Sequence, residues 1–303
     1  MIGLRLFVPS PCAPQWKAYA ALTAVCFFWG TTYLAIRMAL ESFPPLLLVA
    51  VRYTISGAIM LAAAVLLRIR IPAGRELVRT ALNGLLILGV GNGCLVYAEQ
   101  WIPSGLAALF ITTSPFWMIG LEALVPGGEP LHLPTIVGAC IGFAGVGVLV
   151  SEGGLGNIGG AVLAGFLVLQ LGCAGWSAGS ILQRRTSTQA HPVVCGAVQQ
   201  LATGLLFVVP ALTIHPHPVR WSTRGMFAVL YLVVFGTIVG YSAYVYALDK
   251  LSVAVVSIYN YINPIVAVFL GWLFYREPFG VREALGMLVI FAGVAIVKRY
   301  GKR

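Results

Sequence analysis

Charge is the scarcest commodity in this chain. Only 9% of its 303 residues are Asp, Glu, Lys or Arg, and nine of them are acidic, where a soluble domain carries about 25% charged residues. That scarcity excludes a soluble enzyme and a disordered tail protein. The net charge is +10, yet the Lys and Arg sit in short islands rather than on one soluble face, which excludes a DNA reader. No CxxC pair occurs among Cys12, Cys26, Cys94, Cys140, Cys173 and Cys195, so neither a metal cluster nor a disulfide scaffold is expected. The thiols read as small buried apolar groups. His132, His191, His215 and His217 all fall in connections, with no paired His, Asp or Ser at helical spacing for hydrolytic chemistry. A Walker-type phosphate loop is missing, which argues against an ATP-driven pump. The apolar stretch Leu4–Val8, interrupted by Pro9, Pro11 and Pro14, is too short for a signal-peptide core, and Pro11 before Cys12 argues against lipoprotein cleavage.

What is abundant is apolar surface. Hydrophobic residues make up 59% of the chain and the mean hydropathy is +0.93, the profile of a polytopic membrane protein. A helix needs about 20 apolar residues to cross a hydrocarbon core about 30 Å thick. Cutting the sequence at Pro, Gly and charge clusters predicts an all-α protein with ten spans: Ala18–Leu40, Leu46–Leu67, Thr80–Trp101, Gly105–Val125, Leu133–Val150, Ala161–Leu182, Val193–Ile214, Gly225–Leu248, Ser252–Phe274 and Glu283–Val297. The last is short, and Lys298 is placed to snorkel. Residues 1–17 form a cytoplasmic N-terminal segment, and no stretch is left for a soluble domain. With the N-terminus inside, thirteen Lys/Arg face inward (Arg5, Lys17, Arg68, Arg70, Arg75, Arg79, Arg184, Arg185, Lys250, Lys298, Arg299, Lys302 and Arg303) and four face outward (Arg220, Arg224, Arg276 and Arg282). The positive-inside rule then places both termini in the cytoplasm.

The two halves, 18–152 and 161–300, repeat one another. Trp29 recurs as Trp176, Arg37 as Arg184 and Gly57 as Gly204; Tyr97–Ala98 recurs as Tyr246–Ala247 and Pro115 as Pro264; Glu129–Pro130 recurs as Glu277–Pro278, Gly138 as Gly286, and Phe143–Val146 as Phe291–Val294. The spacing stays within 147–149 residues throughout. Five spans per half is an odd number, so the second half enters the membrane inverted. Inverted repeats are an architecture of secondary transporters, with the substrate site near the midplane between halves.

Phe28–Trp29–Gly30 in the first span, Ser114–Pro115 and Asn263–Pro264 in the fourth and ninth, and the paired Glu–Pro connections before Gly-rich helices resemble the EamA branch of the drug/metabolite transporter superfamily. The resemblance covers nearly the whole chain. It implies export of amino acids or similar small metabolites; more distant relatives carry nucleotide sugars, sugar phosphates or cationic drugs. The small multidrug exporters of that superfamily carry a glutamate in the first helix. None stands between Ala18 and Leu40 here.

Polar groups inside a span are functional candidates. Asn92, between Gly91 and Gly93, either lines a pathway or packs as an amide between small residues. Trp29 and Trp176 lie mid-helix, away from the interfacial belts, and are assigned to a cavity. Tyr97, Trp117 and Tyr244 join them, with neighbouring Trp101, Tyr246, Tyr259 and Tyr261 divided between cavity and lipid. Pro115 and Pro264 free the carbonyls of Ile111 and Asn260, and Ser114, Asn260 and Asn263 make each kink polar; a purely structural kink is the competing reading. Arg52 and its counterpart Gln199 are candidate gating residues, Arg52 being equally suited to snorkelling or to binding a carboxylate. Arg37 reads as an interface anchor, and Glu99 and Glu122 as rim residues. No span carries a carboxylate at its centre, so no proton or sodium relay is expected.

These readings converge on a non-enzymatic secondary transporter or facilitator of the cytoplasmic membrane, working by alternating access without metal or cofactor. Its partners are a small-molecule substrate and the lipid bilayer, not nucleic acid. The oligomeric state stays open, a monomer included. A nucleotide-sugar or phosphorylated-metabolite carrier is the rival within transport, and would need more than the single deep Arg52. A membrane-embedded enzyme or structural subunit is the rival from another class.

Overall fold

Long apolar runs leave the backbone one economical way to satisfy itself in lipid, and the chain takes it. In the computed structural model, the described residues (15–128, 130–150, 159–186, 188–214, 218–251, 253–256 and 258–300) form helices and connections, with no strand among them. The helices are α1 (Gln15–Leu40), α2 (Pro45–Leu66), α3 (Gly74–Ala98), α4 (Ser104–Leu124), α5 (Leu133–Val150), α6 (Gly160–Arg185), α7 (Pro192–Thr213), α8 (Thr223–Leu248), the single turn α9 (Val253–Val256), α10 (Tyr259–Tyr275) and α11 (Val281–Tyr300). Seven of them, α1 to α4 and α6 to α8, are long and apolar enough to cross a membrane; α5 holds a shorter apolar stretch, Leu133–Leu149.

Prolines set several starts. Pro45 and Pro192 occupy the first turns of α2 and α7, where the missing N–H costs nothing, and Pro103 directly precedes α4. His191 Nδ1 accepts from Val193 N at 3.2 Å and Ser222 Oγ from Gly225 N at 3.0 Å, capping α7 and α8. Arg276 closes α10 in a left-handed conformation (φ 50°).

Several boundaries differ from those read in the sequence. α3 begins at Gly74 rather than Thr80, because the amphipathic turn bearing Arg75, Glu76 and Arg79 extends the helix past its apolar run. The span predicted from Ser252 divides into α9 and α10; Ser252 itself lies outside the described residues. The last helix spans 20 residues rather than a short stretch, because a helix can extend through its charged ends. Residues 1–14, Glu129, His215, His217, Lys302 and Arg303, and the side chain of Lys298, also lie outside the description.

Helix packing is symmetric under exchange of the two halves. α2 packs on α7 and α5 on α11; α1 lies against α10 and α8, and α6 correspondingly against α4 and α3. In lipid, close approach of small residues drives such contacts. A Cβ on Gly57 would collide with the Leu201 backbone, and one on Gly204 with the Thr54 backbone. Those two contacts interchange at the 147-residue offset. Likewise a Cβ on Gly138 would lie 2.8 Å from the Gly293 carbonyl oxygen, and one on Gly145 2.9 Å from that of Gly286. Away from these crossings the helices turn large apolar residues outward, among them Leu66, Leu206, Val209, Phe227, Trp272 and Phe274. Apolar side chains on an outer surface are what a lipid solvent permits.

Candidate functional site

The two proline kinks organise the interior. In α4 the helix breaks at Thr112–Thr113 and restarts at Ser114. Pro115 has no N–H to give to Ile111, and Ser114 Oγ takes that place, 2.7 Å from the Ile111 carbonyl. The same hydroxyl lies 3.3 Å from Cys173 Sγ on α6, and Ser177 Oγ donates to the Ser114 carbonyl at 3.3 Å. In α10 the amide of Asn263, oriented to suit its neighbours, donates to the carbonyls of Tyr259 (3.2 Å) and of Cys26 on α1 (2.9 Å). Cys26 and Cys173 are themselves 147 residues apart. Each kink therefore leans on the equivalent cysteine of the other half. Asn263 and Pro264 are buried, and Asn260 is half-buried one turn earlier.

Beside the first kink, Gln170 on α6 is 7% exposed. Its Oε1 accepts from Trp117 Nε1 at 2.7 Å and from Thr113 Oγ1 at 3.0 Å. An indole N–H can only donate, which fixes the amide orientation. Gln170 Nε2 is then buried without an acceptor. Beside the second kink, Trp29 meets Tyr244 and Tyr259 with ring centroids 5.1 and 5.2 Å apart, and the two tyrosines pack at 5.8 Å. This aromatic group joins α1, α8 and α10.

α3 and α8 each contain an eight-residue π-helical stretch, Leu85–Asn92 and Leu232–Val239, at matching positions in the two halves. Such widened turns free backbone groups and concentrate at functional sites. Asn92 closes the first. It is half-buried, and its flanking glycines let α6 and α7 approach: a Cβ on Gly91 would lie 3.3 Å from Trp176, and one on Gly93 3.4 Å from Phe207. The second stretch carries Thr237, whose hydroxyl donates to Leu232 O (2.7 Å) and accepts from Arg52 Nε (2.9 Å).

Arg52 is 5% exposed, with its guanidinium over the Tyr53 ring and its Nη1 unpartnered. It is enclosed rather than snorkelling. Gln199, 3% exposed, donates to Gln183 Oε1 at 2.9 Å. These two equivalent positions tie α2 to α8 and α7 to α6.

Two further expectations need correction. Arg37 does more than anchor at an interface: it pairs with Glu277 at 3.1 Å and lies over the Tyr275 ring. Glu277 in turn accepts from Ser104 N, Ser104 Oγ and Gly105 N, each at 2.9 Å, closing the first turn of α4. Glu99 is no rim residue either; it is 4% exposed and both carboxylate oxygens lack a partner. Its position just past the apolar run of α3 suggested exposure, and only the helices around it close it off. Glu122 does behave as a rim group, bridging Arg184 and Arg185 at 2.8 Å.

The structure thus gathers Trp117 and Thr113 on Gln170, with Ser114 and Pro115 at the adjoining kink beside Cys173, and Trp29 and Tyr244 around Tyr259. Trp176 packs on Gly91, next to Asn92, at the α3–α6 crossing. Tyr97 is not brought to these groups; it is 38% exposed and packs on Trp101. Gln170, Cys26 and Cys173 escaped the sequence reading. The shared 147-residue offset of the cysteines was the available signal, while Gln170 has no amide counterpart, since Thr23 occupies its equivalent position. Among the described residues no three His, Cys, Asp or Glu group as metal ligands.

The model of the EamA-like transporter family matches twice, over residues 16–151 and 163–299. An inner membrane transporter of Escherichia coli, YedA, is 36% identical over 287 residues, covering 92% of this chain and 90% of its own. The transporter YvbV of Bacillus subtilis is 24% identical, covering 95% and 94%. Protein PecM of Dickeya dadantii is 26% identical, covering 89% and 88%. A crystal structure of 22% sequence identity superposes with a TM-score of 0.68 over 95% of this chain and 99% of its own, a likeness of fold.

Proposed function

Because the chain belongs to the EamA-like transporter family, we propose that it is a secondary transporter or facilitator of the cytoplasmic membrane that exports amino acids or similar small metabolites by alternating access. Its ten spans form two inverted five-helix repeats, residues 18–152 and 161–300, with both termini cytoplasmic. The observation that carries this reading is the exchange symmetry between halves. Equivalent positions meet twice across the boundary between repeats: Ser114 Oγ at the Cys173 sulfur, and the Asn263 amide at the Cys26 carbonyl. The double family match supports the same division. Two equivalent halves make two related conformations, one open to each side.

Aromatic and amide side chains prevail at the candidate site. Trp29, Trp117, Trp176 and Tyr244 offer faces to apolar bulk, Asn92 and Asn260 offer amides, and Gln170 Nε2 and Arg52 Nη1 are unpartnered donors. That combination suits a zwitterion with an apolar side chain: the donors take the carboxylate and the ring faces attract the ammonium. Arg52 and Gln199 act as gates through their ties to α8 and α6.

Uptake of labelled amino acids into proteoliposomes of the full chain tests the reading. Saturable, competable flux of L-leucine or L-phenylalanine is the expected result. Flux of a sugar phosphate or a cationic drug, with no amino acid moved, overturns the substrate class.

A further inference from the structure

Glu99 is the interior group that the proposed transport path does not use. It stands at the end of α3, at most 4% exposed, with both oxygens enclosed and meeting no hydrogen-bond donor. An ionised carboxylate without donors in a low-dielectric interior is strongly disfavoured, because nothing replaces the water it loses. The charges facing it are spoken for elsewhere. Arg37, from α1, is engaged by Glu277 and the Ile102 carbonyl. Arg52, from α2, gives its Nε to Thr237. Glu277 itself adds a negative charge, and the phenol of Tyr33 on α1 lies within electrostatic range. Tyr53 on α2 interacts with Arg52, and Cys173 on α6 with Tyr33.

An orphan acceptor and an orphan donor therefore lie within electrostatic range of each other: the Glu99 carboxyl and Arg52 Nη1. We propose that Glu99 is a proton-binding site, protonated in this enclosed conformation and ionised when movement of α3 brings Arg52 or water to it, so that one proton accompanies each solute-carrying reorientation. In the step the carboxyl O–H bond breaks, the proton passes to water on the side that opens, and the carboxylate left behind takes the free Arg52 donor. The Glu99–Arg52 pair persists through the return without solute, and water on the loading side gives back the proton and re-forms the O–H bond, so one proton crosses with each solute. The transport half of this inference rests on the function proposed above; the proton site does not.

The full chain in lipid vesicles separates the two. Infrared spectroscopy at neutral pH is expected to show a protonated-carboxyl C=O band that Glu99→Gln removes and Glu99→Asp shifts. A spectrum in which neither substitution changes that region overturns the proton site, and Glu99→Asp decides it should the glutamine variant fail to insert. With radiolabelled L-leucine, Glu99→Gln is expected to retain counterflow exchange but lose accumulation driven by an imposed pH gradient at least tenfold. Undiminished pH-driven accumulation in that variant overturns the coupling, as does accumulation that follows a sodium gradient instead. If the native chain moves no L-leucine, the amino-acid reading fails, and the infrared band still decides Glu99.

Discussion

Trp176 packs over Gly91 because that position has no side chain to hold it away. Its ring covers the α3–α6 crossing beside Asn92, whose amide belongs to the proposed pathway. Replacing Trp176 by Ala is expected to lower flux while leaving the protein inserted, as read by proteoliposome uptake alongside membrane yield. Gln170 makes a sharper case, since its Oε1 is satisfied by Trp117 and Thr113 while Nε2 is not. Gln170→Ala should raise KM about tenfold, the equivalent of about 1.4 kcal/mol for one lost hydrogen bond to a solute carboxylate. Retention of the native KM would make Gln170 a packing amide. Glu277→Ala leaves Ser104 N and Gly105 N without their acceptor and Arg37 without its partner. A loss of about 1–3 kcal/mol is expected for such unsatisfied groups, visible as a lower Tm in detergent. Of these three residues, Trp176 was legible from its place in the repeat. Gln170 was not, because nothing in one sequence says that a lone glutamine will face two donors from another helix.

At the scale of elements, the α2–α7 and α5–α11 pairs hold the halves together through glycines that admit a neighbouring backbone. Gly204→Leu puts a branched side chain where the Thr54 backbone lies, and Gly57→Leu does the same at Leu201. Either variant should reduce folded yield in membranes, whereas Leu206→Val on the exposed face of α7 should not. Size-exclusion profiles of the solubilised protein distinguish the outcomes. The spans themselves were readable, since a run of apolar residues about as long as the bilayer is thick has few other fates. The π-helical turns of α3 and α8 were not. Leu85–Asn92 has an ordinary apolar composition, and a widened turn arises from packing against other helices rather than from residue preference.

For the whole molecule, symmetry and sidedness make the prediction. The proposed sidedness puts both termini in the cytoplasm, so reporters fused at either end should be active only inside the cell. In the proposed inverted arrangement, single cysteines placed in a background without the native ones should label in opposite senses at Leu124 and Phe279, which lie exposed at and just past the ends of the equivalent helices α4 and α10. Labelling of both positions from the same side would reverse the architecture while leaving the family assignment intact.

Composition, span length and the 147-residue recurrence of Trp, Arg and Gly were enough to determine a helical membrane protein of this family, because burial in lipid forces helices and duplication leaves its spacing in the chain. Only the tertiary structure could decide which polar groups lose water. Glu99 looks like an end-of-helix charge when read in order, and Arg52 looks as suited to snorkelling as to binding; both become enclosed when α1, α2, α3 and α8 meet around them. Burial is a property of neighbours distant in sequence, and the free energy of a charge depends on those neighbours more than on the residue that carries it.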